Sequence, residues 1–338
     1  MKHQYIERQT GNIKTENLYG DKAVRFLYSS IKESAPWLFR QLTSAKITWL
    51  LSYANYRGFL AARMKEYLDL QKNLGISAEE CLEPLELLDT PQKIFERKIR
   101  YWQCRPMPND PAAIVSPADA KMLYGSLAET SNIFIKGKYF DYEEMLGGNK
   151  KTWLRAFDRG DFAVFRLTPE KYHYNHTPVA GKVLDFYNIS GTYHACNPSA
   201  VVSLVTPYSK NKRVVTIIDT DVEGGTRAGL VAMIEVVALM IGDIVQCYSK
   251  KEYENPVSVG TGMFLEKGQP KSLFRPGSST VVLMFQNGRV RFADDIYANM
   301  FNPMAESIYG VGFGKSLVET EVMVRSFIAG SINKSWYE

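Results

Sequence analysis

The stretch after Pro106 constrains the fold of this chain most. It carries short runs of β-branched and aromatic residues at 112–115, 132–135, 162–167, 183–187, 201–205, 213–219, 280–285 and 290–292, bounded by Gly, Pro, Asn and Asp. Runs of that length and make-up, closed by turn residues, predict the strands of a sheet-rich domain. The most apolar stretch, 230–241, contains Glu235 and falls short of the roughly 20 residues that a membrane span needs. It reads as a buried strand or a buried helix, and no membrane span is expected.

Before Pro106 the pattern is helical. Ser34-Ala35-Pro36 offers a cap residue followed by a first-turn proline. Leu38, Leu42, Ala45, Trp49, Tyr53, Tyr56 and Leu60 then recur at spacings of three and four, one stripe of a helix. More helix is expected through 61–70 and 90–99. The expected class is α+β, N-terminal helices followed by a mostly antiparallel β domain. The corresponding division is a helical, basic region at 1–105, a β-rich catalytic domain at 106–295 and a C-terminal extension at 296–338. A hydrophobic share of 45% and a charged share of 23% exclude a disordered chain.

The net charge of +5 is unevenly spread. Residues 1–70 hold eleven Lys/Arg against six Asp/Glu, and from Lys22 to Lys65 there are eight basic residues and one acid, Glu33. Such a stripe suits nucleic acid, but basic residues interleaved with Trp and Leu suit a lipid surface as well. The alternative is an amphipathic helix packed on its own domain. Residues 1–30 show no apolar signal segment. Cys81, Cys104, Cys196 and Cys247 are scattered without CxxC spacing, which argues against a disulfide framework and for a reducing compartment.

Three histidines lie close together: His173 and His176 in Tyr-His-Tyr-Asn-His, and His194 two before Cys196. They could supply zinc ligands with Cys196, yet HxxH is not the i,i+4 helical pair of a metalloprotease, and no metal is expected. Gly310-Val-Gly-Phe-Gly-Lys-Ser316 fails as a phosphate loop, because Tyr309 stands where the first glycine is required. It reads as a flexible glycine turn. Arg275-Pro-Gly-Ser-Ser-Thr runs from a tight turn into an apolar strand.

Together these segments resemble the phosphatidylserine decarboxylase family. Ile114-Val-Ser-Pro-Ala-Asp119 is similar to its S-P-A-D-G segment, and Ile135-Lys-Gly-Lys-Tyr with Glu144-Met-Leu-Gly-Gly148 to its K-G-x-x-Y…L-L-G-G. Phe165-Arg-Leu-Thr-Pro-Glu-Lys-Tyr-His173-Tyr-Asn-His176-Thr-Pro-Val-Ala-Gly181 resembles R-L-x-P-x-D-Y-H-R-x-H-x-P-x-x-G. Asn211-Lys-Arg-Val-Val resembles N-E-R-V, and the Gly-Ser turn the G-S-T cleavage site. The pieces occur in family order. Ala120 replaces the family's glycine, V-G-A-x-x-V-G-S-I is matched only loosely by Val231-Ala-Met and Ile241-Gly-Asp-Ile244, and about fifty residues after Phe285 have no counterpart.

The resemblance implies a proenzyme that cuts itself. A serine hydroxyl attacks the preceding carbonyl, β-elimination breaks the chain, and hydrolysis leaves a covalent pyruvoyl cofactor. It implies His176 as the base for that serine, Asp119 as the orienter of His176, and His173 as a participant in decarboxylation. The pyruvoyl group is an electron sink comparable to pyridoxal phosphate. Counting back from Phe285 makes the cleaved serine Ser279, whereas counting forward from Phe274 makes it Ser278. The strand is the more rigid ruler, which favours Ser279. The implied substrate is phosphatidylserine at a phospholipid membrane surface, and the expected location is peripheral on the cytoplasmic side of the cell membrane. No nucleic acid is expected, and a homo-oligomer such as a dimer is. The alternatives are the same chemistry on another amine, such as a free aromatic amino acid, and an uncleaved lipid-binding relative.

Overall fold

The structure, a computed structural model, describes residues 2–18, 21–44, 75–128, 141–204, 207–238, 243–275, 279–313 and 316–332. Ten strands form one large sheet. Its order is Phe264–Leu265, Gly181–Ile189, Arg213–Asp219, Leu230–Val236, Ser279–Phe285, Asp161–Leu167, Ala120–Ser126, Glu319–Val322, Gln4–Glu7 and Asn12–Thr15. Every pairing in it is antiparallel except Gln4–Glu7 with Glu319–Val322. Two three-stranded sheets accompany it. One is Ile244–Gln246, Pro270–Phe274 and Tyr174–His176; the other is Val290–Phe292, Phe327–Ser331 and Ala113–Val115.

Ser279–Phe285 is central to the large sheet and buried along its whole length. Five of its seven residues are Val, Leu, Met or Phe, and both faces are covered, so the run is continuously apolar rather than alternating. The apolar stretch from Leu230 resolves as a strand, Leu230–Val236, paired with it on one side.

The mostly antiparallel sheet agrees with the expected class, whereas the N-terminal region differs from the expected helical one. The chain opens with a hairpin, Gln4–Glu7 and Asn12–Thr15, and its described helices are short. Strand pairing also crosses both expected divisions, at 105 and 295. Tyr5 pairs with Glu319, and Glu319–Val322 pairs in turn with Ala120–Ser126. The stretch after Phe285 thus supplies strands to the large sheet and to one of the two small ones.

Three local expectations change. Residues 201–205 were expected as strand, yet Pro198–Ser203 is helical. The Asn197 side chain accepts the Ser199 N–H at 2.8 Å and Pro198 opens the first turn, a start signal that outweighs two valines. The helix expected over 90–99 is confined to Pro91–Phe95, capped by Thr90, because Ile99 bridges to Cys81 instead. The glycine turn expected near 310 begins as a helix, Ile308–Phe313. The runs 132–135 and 61–70, and the stripe from Ala45 onward, lie outside the described residues.

Candidate active site

Ser279 is the first residue of its strand and is fully buried. It lies opposite Leu167, the last residue of Asp161–Leu167. On the other side Thr280 pairs with Val236, which brings Val237 alongside Ser279. The Asn211 side chain holds that corner: its amide donates to the carbonyls of Val237 and His194, and its Oδ1 accepts the His194 N–H at 2.7 Å. Among the described residues the Ser279 Oγ has no hydrogen-bond partner. A buried hydroxyl left unpaired costs roughly 1–3 kcal/mol, so its persistence at a strand start calls for an explanation by chemistry. Ser278, Pro276 and Gly277 lie outside the described residues.

The two histidines of the HxxH segment differ in surroundings. His173 precedes Tyr174–His176, and its carbonyl accepts the N–H of Phe274, five residues before Ser279. Its ring is fully buried and stacks on Phe95 at 3.5 Å between centroids, and among the described residues neither nitrogen is in a hydrogen bond of ordinary geometry, the Lys171 backbone being a weak partner at most. Burial, reinforced by the positive charge of Arg97, holds its pKa well below the usual histidine range. His176 pairs with Pro270, four residues further back on the same neighbouring strand, about 13 Å at 3.3 Å per residue.

His176 has partners on both nitrogens. Its Nδ1 lies 2.9 Å from the Gly268 carbonyl, which can only accept, so Nδ1 carries the proton and Nε2 accepts from the Tyr172 hydroxyl at 3.0 Å. Tyr172 in turn lies 2.6 Å from the Tyr253 hydroxyl. Burial lowers the His176 pKa to about 3, which keeps the ring neutral and fits that arrangement.

Asp119 is not the hydrogen-bond partner of His176. Arg105 donates to its carboxylate at 2.8 to 3.2 Å, and the Val324 N–H donates at 2.8 Å. Burial would raise this carboxyl, but the guanidinium outweighs it and the pKa is lowered. Gly268 therefore orients the ring of His176, and Asp119 reaches it only through space. Its negative charge is among those that favour the protonated ring.

The four residues weighed as zinc ligands do not form one group. His194 packs against Phe39 and Tyr28, its pKa lowered to about 4 by burial, and burial pushes the Cys196 thiol up to about 12. Among the described residues the only close set of such ligand atoms is His3, Glu16 and Glu319. Arg166 and Lys121 already balance those carboxylates, so a cation has little to gain there. All four cysteines are free.

Two contributors escaped the sequence reading. Tyr172 precedes the HxxH pair and caps its second member. Lys271 and Glu235 form a fully buried ion pair at 2.7 Å, joined by Ser272 and Gln246. Glu235 lies opposite Val281, two residues from Ser279, and so on the serine's face of the sheet. An acid within an apolar run was the available signal.

These buried neutral histidines predict an acid-sensitive fold. His173, His176 and His194 all have folded pKa values below the unfolded value near 6.5, so the unfolded chain binds more protons. Stability is then full above pH 6.5 and lost as pH falls toward the folded values, about 2 kcal/mol per histidine between pH 6.5 and 5. Urea unfolding of an uncleaved Ser279→Ala chain should show that fall. A midpoint constant from pH 7 to pH 5 would contradict burial of neutral rings.

The resemblance seen in the motifs extends along the chain. A family model for phosphatidylserine decarboxylase matches residues 92–309, which include Asp119, both histidines and Ser279. The chain belongs to the phosphatidylserine decarboxylase family. It is 31% identical over 316 residues to the phosphatidylserine decarboxylase proenzyme of Fusobacterium nucleatum, covering 93% of this chain and 97% of that one. The proenzyme of Chlamydia trachomatis is 29% identical over 302 residues, 86% of this chain and 90% of that one. Phosphatidylserine decarboxylase proenzyme 2 of Oryza sativa is 31% identical over 256 residues, 75% of this chain and 38% of its own.

Proposed function

We propose that the chain is a phosphatidylserine decarboxylase proenzyme that cuts itself before Ser279 and converts phosphatidylserine to phosphatidylethanolamine with the resulting pyruvoyl end. The observation that carries the choice of serine is its buried hydroxyl at the start of a strand, without a hydrogen-bond partner among the described residues.

In this reading the Ser279 Oγ attacks the carbonyl carbon of Ser278, forming a C–O bond as the C–N bond breaks. The freed amine takes a proton. Loss of the Ser279 α-proton then expels the Ser278 carboxylate as leaving group and ends the first chain. Water converts the new dehydroalanine terminus to pyruvoyl and ammonia. His176 is the base of the proposal, and its Nε2 must exchange the Tyr172 hydroxyl for that of Ser279. Asp119 supports it by charge, and Gly268 keeps the ring's other face in place.

The pyruvoyl group supplies a carbonyl for the substrate amine and an acceptor for the electron pair left by CO2. His173 fits the protonation that follows. It is next to the strand leading to Ser279, and among the described residues neither nitrogen is held in a hydrogen bond of ordinary geometry. A ring whose pKa is depressed by burial surrenders a proton readily. The anionic substrate is what lets it take one up.

No helix among the described residues is long and apolar enough to cross a membrane. Peripheral docking on an anionic cytoplasmic leaflet is supported by the basic stripe and by the short helices Asp21–Phe26 and Pro36–Leu42. There Phe26 and Trp37 are 60% and 69% exposed, beside the exposed Arg25 and Arg40. Changing Arg40, Lys46 and Arg57 together to Glu is expected to weaken co-sedimentation with phosphatidylserine vesicles at least tenfold, at about 1 kcal/mol per charge near the surface. Self-cleavage should survive. Unchanged sedimentation would make the stripe an ordinary solvated face, and absence of CO2 from wild-type enzyme on the same vesicles would refute the substrate. A dimer is the oligomer proposed.

A further inference from the structure

A cavity of about 510 Å³ with charged walls is lined by Lys171 and Tyr172, the two residues before His173, though not by His173 itself. Five carboxylates line it, those of Glu7, Glu80, Asp119, Glu170 and Glu321, together with four cations: Arg8, Arg97, Arg105 and Lys171. Arg8 is paired with Asp295, Arg105 with Asp119 and Glu80, and Lys171 with Glu321. Arg97 is the exception. Its guanidinium donates to two backbone carbonyls, those of Ile94 at 3.0 Å and Glu170 at 2.8 Å, and no carboxylate lies within ion-pair distance among the described residues. The residue is only 8% exposed, and it forms part of the cavity lining.

A buried arginine without a counter-ion is costly, and burial lowers its pKa. The nearest acids cannot relieve it, because Arg105 already holds Asp119 and Glu80. A planar guanidinium with free N–H groups in a cavity is suited to two-point contact with an oxyanion. Its position relates it to the chemistry. Phe95, which stacks on His173, is two residues away, so the two α-carbons are at most about 7 Å apart. The charge of Arg97 is also felt by the His173 ring.

We infer that Arg97 is the anchor for the phosphodiester of the phospholipid headgroup, an inference that rests on the decarboxylase reading above. The substrate offers two anions, the phosphodiester and the carboxylate that departs as CO2. A cation on the carboxylate would stabilise the ground state and lose its partner as the transition state forms, which slows the reaction. The phosphodiester keeps its charge throughout, so gripping it strengthens binding without opposing the chemical step. Three bonds separate it from the carbon that His173 would protonate, a span compatible with the two side chains flanking Phe95. Arg97 is thus a specificity residue: it favours phosphoserine headgroups over free amino acids.

The test uses the mature enzyme and two short-chain ligands. Dihexanoylphosphatidylethanolamine has the phosphodiester and no carboxylate; O-hexanoylserine has the carboxylate and no phosphodiester. Arg97→Met should weaken the first by about tenfold to a hundredfold and leave the second unchanged. With dihexanoylphosphatidylserine, KM should rise by a similar factor while kcat stays within about threefold. Equal binding of the phosphodiester ligand by both enzymes overturns the inference, and selective loss of O-hexanoylserine assigns Arg97 to the carboxylate instead. Arg97→Gln, uncharged yet able to donate to a carbonyl, replaces a Met variant that does not mature. On the unmutated enzyme, the phosphodiester ligand should protect Arg97 from phenylglyoxal, mapped by mass spectrometry, and absence of protection counts against the anchor. Wild-type enzyme that releases no CO2 would instead refute the decarboxylase reading, because product binding is measured separately.

Discussion

Ser279→Ala is expected to remain a single 338-residue chain, whereas the unmutated protein separates into chains of 278 and 60 residues on a denaturing gel. The smaller chain should resist Edman sequencing, since its end is a ketone rather than an amine. Loss of cleavage should be complete rather than partial. The hydroxyl supplies the bond-forming atom, and the Cβ of alanine offers no substitute. Ser278→Ala should still cleave, because the attacked carbonyl is unchanged. The opposite pattern would move the site one residue back and put the strand out of register as a ruler. Intact masses of the two variants decide between these outcomes. Complete removal of one product in an otherwise folded protein is the largest effect expected anywhere in the molecule.

The second large effect separates the two histidines. His173→Ala should mature into two chains and then lose about 10²–10⁴-fold in turnover, the usual worth of a positioned proton donor. His176→Ala should mature slowly or not at all, because no other described imidazole lies on that strand. Tyr172→Phe gives the comparison that the hydrogen bonds suggest. It frees the His176 Nε2 while leaving the Gly268 contact intact, so maturation should be at least as fast as in the parent. Slower maturation in Tyr172→Phe would mean that the hydroxyl carries the proton between Ser279 and His176. Equal maturation in His173→Ala, His176→Ala and the parent would remove both histidines from self-cleavage. Asp119→Ala addresses a different bond. It releases Arg105 and uncaps the Val324 N–H, so reduced stability should accompany any loss of cleavage.

Much of this was legible in the chain itself, for local reasons. The strand Ser279–Phe285 reads directly from its unbroken apolar run after a Gly-Ser turn. The reaction class reads from short segments in fixed order, in which each residue type serves a chemical step: a hydroxyl to attack, imidazoles to move protons, a glycine-bearing turn to let the backbone bend. The helix at Pro198–Ser203 was also legible, in Asn197 and Pro198, but a cap signal and a β-branched run compete over the same few residues. Without tertiary contacts to arbitrate, the run was the natural reading.

The amino-acid sequence by itself determined which groups can react and where the long apolar strands of the large sheet run, because backbone propensity and side-chain chemistry are properties of neighbouring residues. The tertiary structure alone decided who pairs with whom. Gln4–Glu7 finds Glu319–Val322 across more than three hundred residues, and nothing in either segment names the other. Asp119 is taken by Arg105 and by the Val324 backbone, His176 by Gly268 and Tyr172, and Arg97 by no carboxylate among the described residues. Each of those outcomes depends on which polar groups the folded sheets bring within about 3 Å of one another. A hydrogen bond gains its energy only at that range and in a narrow range of angles, so it is written in the packing and not in the order of the residues.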